Sequence, residues 1–152
     1  MPTGVQLRRP VEILLVEDSP SDAKLTLIAF EKGKVNRNIN HVVDGVLAIE
    51  YLNGEGAFAG KPTPDVVLLD LNLPKKNGIE VLEAMQSDES LRRIPVIVLT
   101  TSEAEEDIRA AYELNARAYV KKPVNMDDFA AAIQAFDEFW LTFVMLPPNK
   151  KP

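Results

Sequence analysis

Five short apolar runs punctuate the chain, at residues 11–16, 39–43, 66–71, 96–99 and 116–120. Each has strand length, and most are rich in valine, isoleucine and leucine. Between and after them the apolar positions recur with helical spacing, over roughly 21–33, 45–53, 78–87, 103–114 and 126–144. The order is therefore strand then helix, five times over. That alternation predicts an α/β fold, a parallel sheet with helices on both faces. The runs VVLLDL and PVIVLT lack the polar alternation of a half-exposed strand, so they are expected at the middle of the sheet.

Start signals support this division. Ser19 precedes Pro20, a capping side chain before a proline at the first helical position. Ser102 with Glu105 has capping-box spacing, and Asn125 with Asp128 resembles it. The run from Leu73 to Gly78 is a turn by composition, and residues 53–64 form a Gly/Pro-rich loop. With 152 residues, the chain can bury roughly two thirds of its unfolded surface in one core. We divide it into an extension at 1–10, a folded domain at 11–136, and a C-terminal helix extension and tail at 137–152.

Composition removes several kinds of chemistry. The chain has no cysteine, which excludes disulfides, thiolate metal sites and cysteine nucleophiles and fits a reducing cytoplasm. No apolar run approaches the ~20 residues of a membrane span or follows the first arginines as a signal peptide would. A net charge of −6 argues against nucleic-acid binding, which needs a basic face. The single histidine, His41, reads as an ordinary strand residue, having no second histidine for a metal site or relay.

In an open parallel sheet, ligands bind outside the carboxyl ends of the strands. Those ends carry Glu17 and Asp18, then Asp70, Thr100 and Lys122. Three carboxylates meeting at one rim repel unless a cation joins them or a pKa rises. All-oxygen donors favour Mg²⁺, which typically takes one or two carboxylates plus a phosphate oxygen. On this reading Asp70 is a nucleophile that can carry phosphate as an acyl phosphate, and Asp18 is a direct metal ligand. Glu17 holds the metal through water, and the backbone carbonyl of Asn72 adds a further ligand. Lys122 and the Thr100 hydroxyl contact the phosphoryl oxygens, because phosphoryl transfer depends on positioning and charge neutralisation.

The Glu17-Asp18 pair, the LLDLNLP run, the VLTTS run and the VKKP run, in this order, resemble the receiver domain of bacterial response regulators over about residues 11–136. The resemblance implies a (βα)5 flavodoxin-like doubly wound sheet of strand order 2-1-3-4-5. It further implies Mg²⁺-dependent transfer of a phosphoryl group from the phosphohistidine of a sensor histidine kinase to Asp70, followed by slow self-dephosphorylation. Thr100 and Tyr119 would act as the switch, altering the face formed by the fourth helix, fifth strand and fifth helix. Glu17 stands where aspartate is frequent, and Thr101 is larger than the usual residue; with Asn72 and Ser102, Thr101 is expected to tune the phosphoryl lifetime. The loop before the third strand and the aromatic tail resemble regulators paired with phytochrome-type kinases.

Other readings carry less. A hydrolase using an aspartyl phosphate on a similar sheet needs a second aspartate two positions after the nucleophile, and Asn72 stands there. A module with this fold that signals without phosphate remains the alternative. The glycines at 54–60 loosely match dinucleotide and phosphate-loop fingerprints, but they follow a helix and precede a strand, the reverse of the required context. Phe129, Ile133, Phe136, Trp140 and Phe143 form a core-facing stripe of the last helix. Phe139, Leu141, Val144, Met145 and Leu146 add apolar surface on other faces, which predicts a homodimer through that helix and the switch face. Only PNKKP follows Pro147, so the expected output is contact with another protein.

Overall fold

A computed structural model describes residues 10–32 and 36–136. Its strands are β1 (Val11–Val16), β2 (Arg37–Val42), β3 (Val66–Leu69), β4 (Val96–Thr100) and β5 (Ala118–Lys121). Its helices are α1 (Pro20–Glu31), α2 (Gly45–Asn53), α3 (Gly78–Gln86), α4 (Glu105–Glu113) and α5 (Met126–Phe136). The strands pair in parallel in the order β2-β1-β3-β4-β5, as the resemblance implies. This is the flavodoxin-like (βα)5 arrangement.

Two cores flank the sheet. Leu14, Val16, Val67, Leu69, Val96 and Val98 face α2, α3 and α4 and pack on Ala48, Tyr51, Val81, Leu82, Met85 and Ala111. Ile13, Leu15, Val66, Leu68, Ile97 and Leu99 face the other way, onto Ala23, Ala29 and Phe30 of α1 and Phe129 and Ile133 of α5. Alternate residues thus serve opposite cores, which explains why β3 and β4 are apolar at every position. Burying one such side chain is worth at most about 1.5–3 kcal/mol, and every residue of β3 and β4 is buried. Of the predicted stripe, Phe129 and Ile133 are core residues. The side chain of Phe136, and Phe139 through Leu146, lie outside the described residues, and the dimer expectation rests on them.

The boundaries differ from the sequence reading in places. Strand β2 begins two residues earlier than expected, at Arg37, because its ladder with β1 already starts at Val11. Strand β5 begins two residues late: Asn115 takes a left-handed φ of 67° and Ala116 donates its N–H back to Ala111. Those two residues close α4, and pairing with β4 starts only at Arg117. The expected capping box at Ser102 does not form. Helix α4 begins after Ala104, which makes no side-chain cap, while the Ser102 hydroxyl donates to Asp107 at 2.6 Å and accepts from the Ala104 N–H. Ser19 caps α1 as expected, and Asn125 accepts from the N–H groups of Asp127 and Asp128. The 73–78 turn itself ends in a reciprocal cap, Asn77 with Glu80. In the 53–64 loop Gly54 ends α2 in the left-handed conformation, and a short 3-10 turn, Gly56–Phe58, lays Phe58 against Tyr51.

Candidate phosphoacceptor and metal site

Each principal side chain sits one residue beyond its strand and is still held by the ladder. Glu17 donates its N–H to Val42, Asp70 to Val16, and Lys122 to the carbonyl of Thr100. Parallel pairing of neighbouring strands therefore delivers Glu17, Asp70 and Lys122 to the same rim. The Glu17, Asp18 and Asp70 carboxylates each offer an oxygen within 4.8 Å of the others. Glu17 and Asp70 are buried and Asp18 is exposed. The buried Lys122 ammonium donates to Glu17 Oε1 at 2.6 Å, Asp70 Oδ2 at 2.8 Å and Asp22 Oδ2 at 2.9 Å. Gly78 keeps the loop after β3 close: a Cβ there would lie 2.6 Å from the Asp70 carbonyl.

Electrostatics follow from this crowding. Burial pushes the Glu17 carboxyl up to about 7, assisted by the Asp70 charge and opposed by the Lys122 hydrogen bond and charge. Burial alone would lower the Lys122 pKa, but its hydrogen bonds to Asp70, Glu17 and Asp22 raise it well above the ordinary lysine value. The ammonium is therefore permanent, and four carboxylates still face one positive charge. Such a donor set, all oxygen and short of positive charge, fits a hard divalent cation. Glu17, Asp18 and Asp70 can hold it.

Thr100 is fully buried at the end of β4 and joined to Lys122 through the backbone. Its Oγ1 accepts from the Ser102 N–H at 3.5 Å. Tyr119, half-buried on the core, donates its hydroxyl to the Ser102 carbonyl at 3.0 Å, so it grips the loop between β4 and α4. Burial raises its phenol pKa. Asn72 donates its N–H to Asp70 Oδ1 at 3.1 Å, and its amide Nδ2 reaches Thr101 Oγ1 at 3.5 Å across the site. Of the three positions expected to tune lifetime, Asn72 and Thr101 thus meet, while the Ser102 hydroxyl is engaged by Asp107 of α4 and the Ala104 N–H. Beside Asp18 lies an open cleft of about 420 Å³, lined by Asn72, Leu73, Pro74, Ile79 and Asp107 among others.

Two contacts were not foreseen from sequence. Asp22 holds Lys122 from the first turn of α1; an acid three residues after a capping serine is visible in sequence, but its partner lies 100 residues away. His41 is more than a strand residue: its Nε2–H donates to the Glu17 carbonyl at 2.7 Å and braces the end of β1.

Residues 13–134 match the family described as the response regulator receiver domain. The chain belongs to that family. Receiver domains are phosphoacceptor signalling proteins of two-component systems, served by a cognate histidine kinase and a divalent metal. This receiver is 41% identical to the response regulator Rcp1 of Synechocystis sp. over 138 residues, covering 91% of this chain and 94% of that protein. The structure of the phosphorylated cyanobacterial phytochrome response regulator RcpA superposes with a TM-score of 0.88 at 42% identity, covering 91% of this chain and 99% of the other. The Mn²⁺-bound form of Rcp1 superposes with a TM-score of 0.87 at 41% identity and the same coverage. Among the described residues of this receiver, no helix is long and apolar enough to cross a membrane.

Proposed function

We propose that Asp70 is the phosphoacceptor of this receiver and that its donor is the phosphohistidine of a phytochrome-type sensor histidine kinase in the cytoplasm. The observation that carries the reading is the convergence of Glu17, Asp18 and Asp70 around the reach of one buried lysine. The Asp70 oxygen attacks phosphorus, an O–P bond forms as the P–N bond to the imidazole breaks, and the departing nitrogen keeps the electron pair. Asp18, Asp70 and the Asn72 carbonyl would hold Mg²⁺ directly and Glu17 through water, and the ion would supply charge neutralisation for the phosphoryl oxygens. Lys122 and the Thr100 hydroxyl bind those oxygens. Asn72, Thr101 and Ser102 then govern how readily water reaches the acyl phosphate.

Engagement of Thr100 by the phosphoryl group draws on the loop that Tyr119 grips through Ser102, so the tyrosine reports the site to the face of α4, β5 and α5. Exposed Tyr112 on α4 and Val120 on β5 leave apolar surface on that face. Residues 11–136 act as the receiver unit, and the aromatic residues of 137–152, outside the described residues, are expected to take part in a homodimer contact. The kinase relationship is supported by the likeness to RcpA.

Incubation with a small acyl phosphate and Mg²⁺ should add one phosphoryl group to Asp70. Asp70→Asn should reduce incorporation to background, and chelation should do the same to the wild type. Modification at another residue, or full incorporation in the variant, contradicts the assignment.

A further inference from the structure

We propose that Asp22 is a positioning residue for Lys122, the anchor that keeps the ammonium in place when Glu17 and Asp70 turn to a dication. The inference rests on the reading that Glu17, Asp18 and Asp70 hold Mg²⁺. An ammonium has three protons, and Lys122 gives one each to Glu17, Asp70 and Asp22. The first two acceptors belong to the group of three close carboxylates, and Asp22 does not. A divalent cation shared by Glu17 and Asp70 drains the negative charge that holds the lysine and repels it directly. Lys122, with 4% of its side chain exposed, then needs an acceptor that the cation does not claim.

Asp22 meets that need. It lies in the first turn of α1, where the helix dipole favours a negative charge. Its backbone is fixed from both sides: its N–H donates to Ser19 Oγ at 3.3 Å, and its carbonyl accepts from the hydroxyl of buried Thr26 at 2.8 Å. With Asp22 as a fixed pivot, the Lys122 N–H that Asp70 gives up on phosphorylation points where a phosphoryl oxygen arrives.

A double-mutant cycle tests this. Mg²⁺ dissociation constants are measured for wild type, Asp22→Asn, Lys122→Met and the double variant, with melting temperatures of the metal-free proteins alongside. Asp22→Asn should weaken Mg²⁺ binding roughly three- to tenfold when Lys122 is present and less than about twofold when it is methionine. Phosphorylation by an acyl phosphate at saturating Mg²⁺ should slow by a similar factor with the half-saturating donor concentration unchanged, and Asp22→Glu should restore both. An equal loss in both backgrounds would reduce Asp22 to a distant negative charge and overturn the proposal, as would no loss in either. A wild type that binds no Mg²⁺ would overturn the metal site itself and this inference with it.

Discussion

Asp65, at the amino rim of the sheet, is as deeply buried as Asp70 at the carboxyl rim, with 5% and 6% of their surfaces exposed. Their surroundings are nonetheless opposite. Asp65 Oδ2 accepts the backbone N–H of Glu12 at 2.8 Å while its own N–H donates to the Glu12 carbonyl at 2.7 Å, two bonds that stitch the start of β3 to β1. Asp70 instead shares the Lys122 ammonium with two further acids and has Asp18 beside it. The Asp65 carboxylate bonds to the backbone of the neighbouring strand, and that bond is structural. The Asp70 carboxylate shares one ammonium with Glu17 and Asp22, so its partner can be exchanged, and in the function proposed above that exchange accompanies phosphotransfer.

Substitutions at the two rims should therefore separate stability from function. Lys122→Met should slow phosphorylation about 10²-fold or more, since it removes the charge aimed at the phosphoryl oxygens. It should also destabilise the metal-free protein by about 3 kcal/mol at pH 8, because Glu17 and Asp70 lose their shared partner. The stability cost should shrink at pH 6, where Glu17 takes a proton; denaturant melts at both values check this. Asp65→Ala should cost about 1–3 kcal/mol by leaving the Glu12 N–H without its acceptor, yet change Mg²⁺ affinity less than about twofold. A large change in affinity there would erase the distinction between the rims.

A smaller effect is expected from pH alone. The folded state binds the Glu17 proton more tightly than the unfolded chain, with a pKa of about 7 against 4.5. Its contribution to stability is thus full below pH 4.5 and is lost as pH rises towards 7. Thermal melts of the metal-free protein should fall across that window. Mg²⁺ holds the carboxylate ionised, so the stabilisation it confers should be greater at pH 8 than at pH 5.5. A metal effect that weakens with rising pH would contradict the assignment of the shift to Glu17.

What could be read from the chain follows from where the constraints act. The apolar runs at β3 and β4 mark central parallel strands, and the rule that parallel strands present their carboxyl ends to one rim is enough to bring Glu17, Asp18, Asp70 and Lys122 together. Ser102 misled because its cap spacing is local, whereas the loop it occupies is shaped by Tyr119 from β5 and by Asp107. The late start of β5 has the same origin: Asn115 in the left-handed region closes α4 before the strand can begin. The acidity of Asp22 explains itself as helix-end chemistry, and only the fold, which brings the Lys122 ammonium to the first turn of α1, reveals its lysine. His41 was dismissed for want of a second histidine, although its role, a hydrogen bond to a backbone carbonyl, needs none.

The contrast between the rims can be tested in one titration. Substoichiometric Mn²⁺ added to the ¹⁵N-labelled protein should first broaden the amide signals of residues 17, 18 and 70–72. Those of Glu12 and Asp65, roughly 15 Å or more away along the strands, should persist. Excess Mg²⁺ should restore the lost signals. Early broadening at Glu12 and Asp65, or sharp signals from Asp18 and Asp70 throughout, would contradict the account.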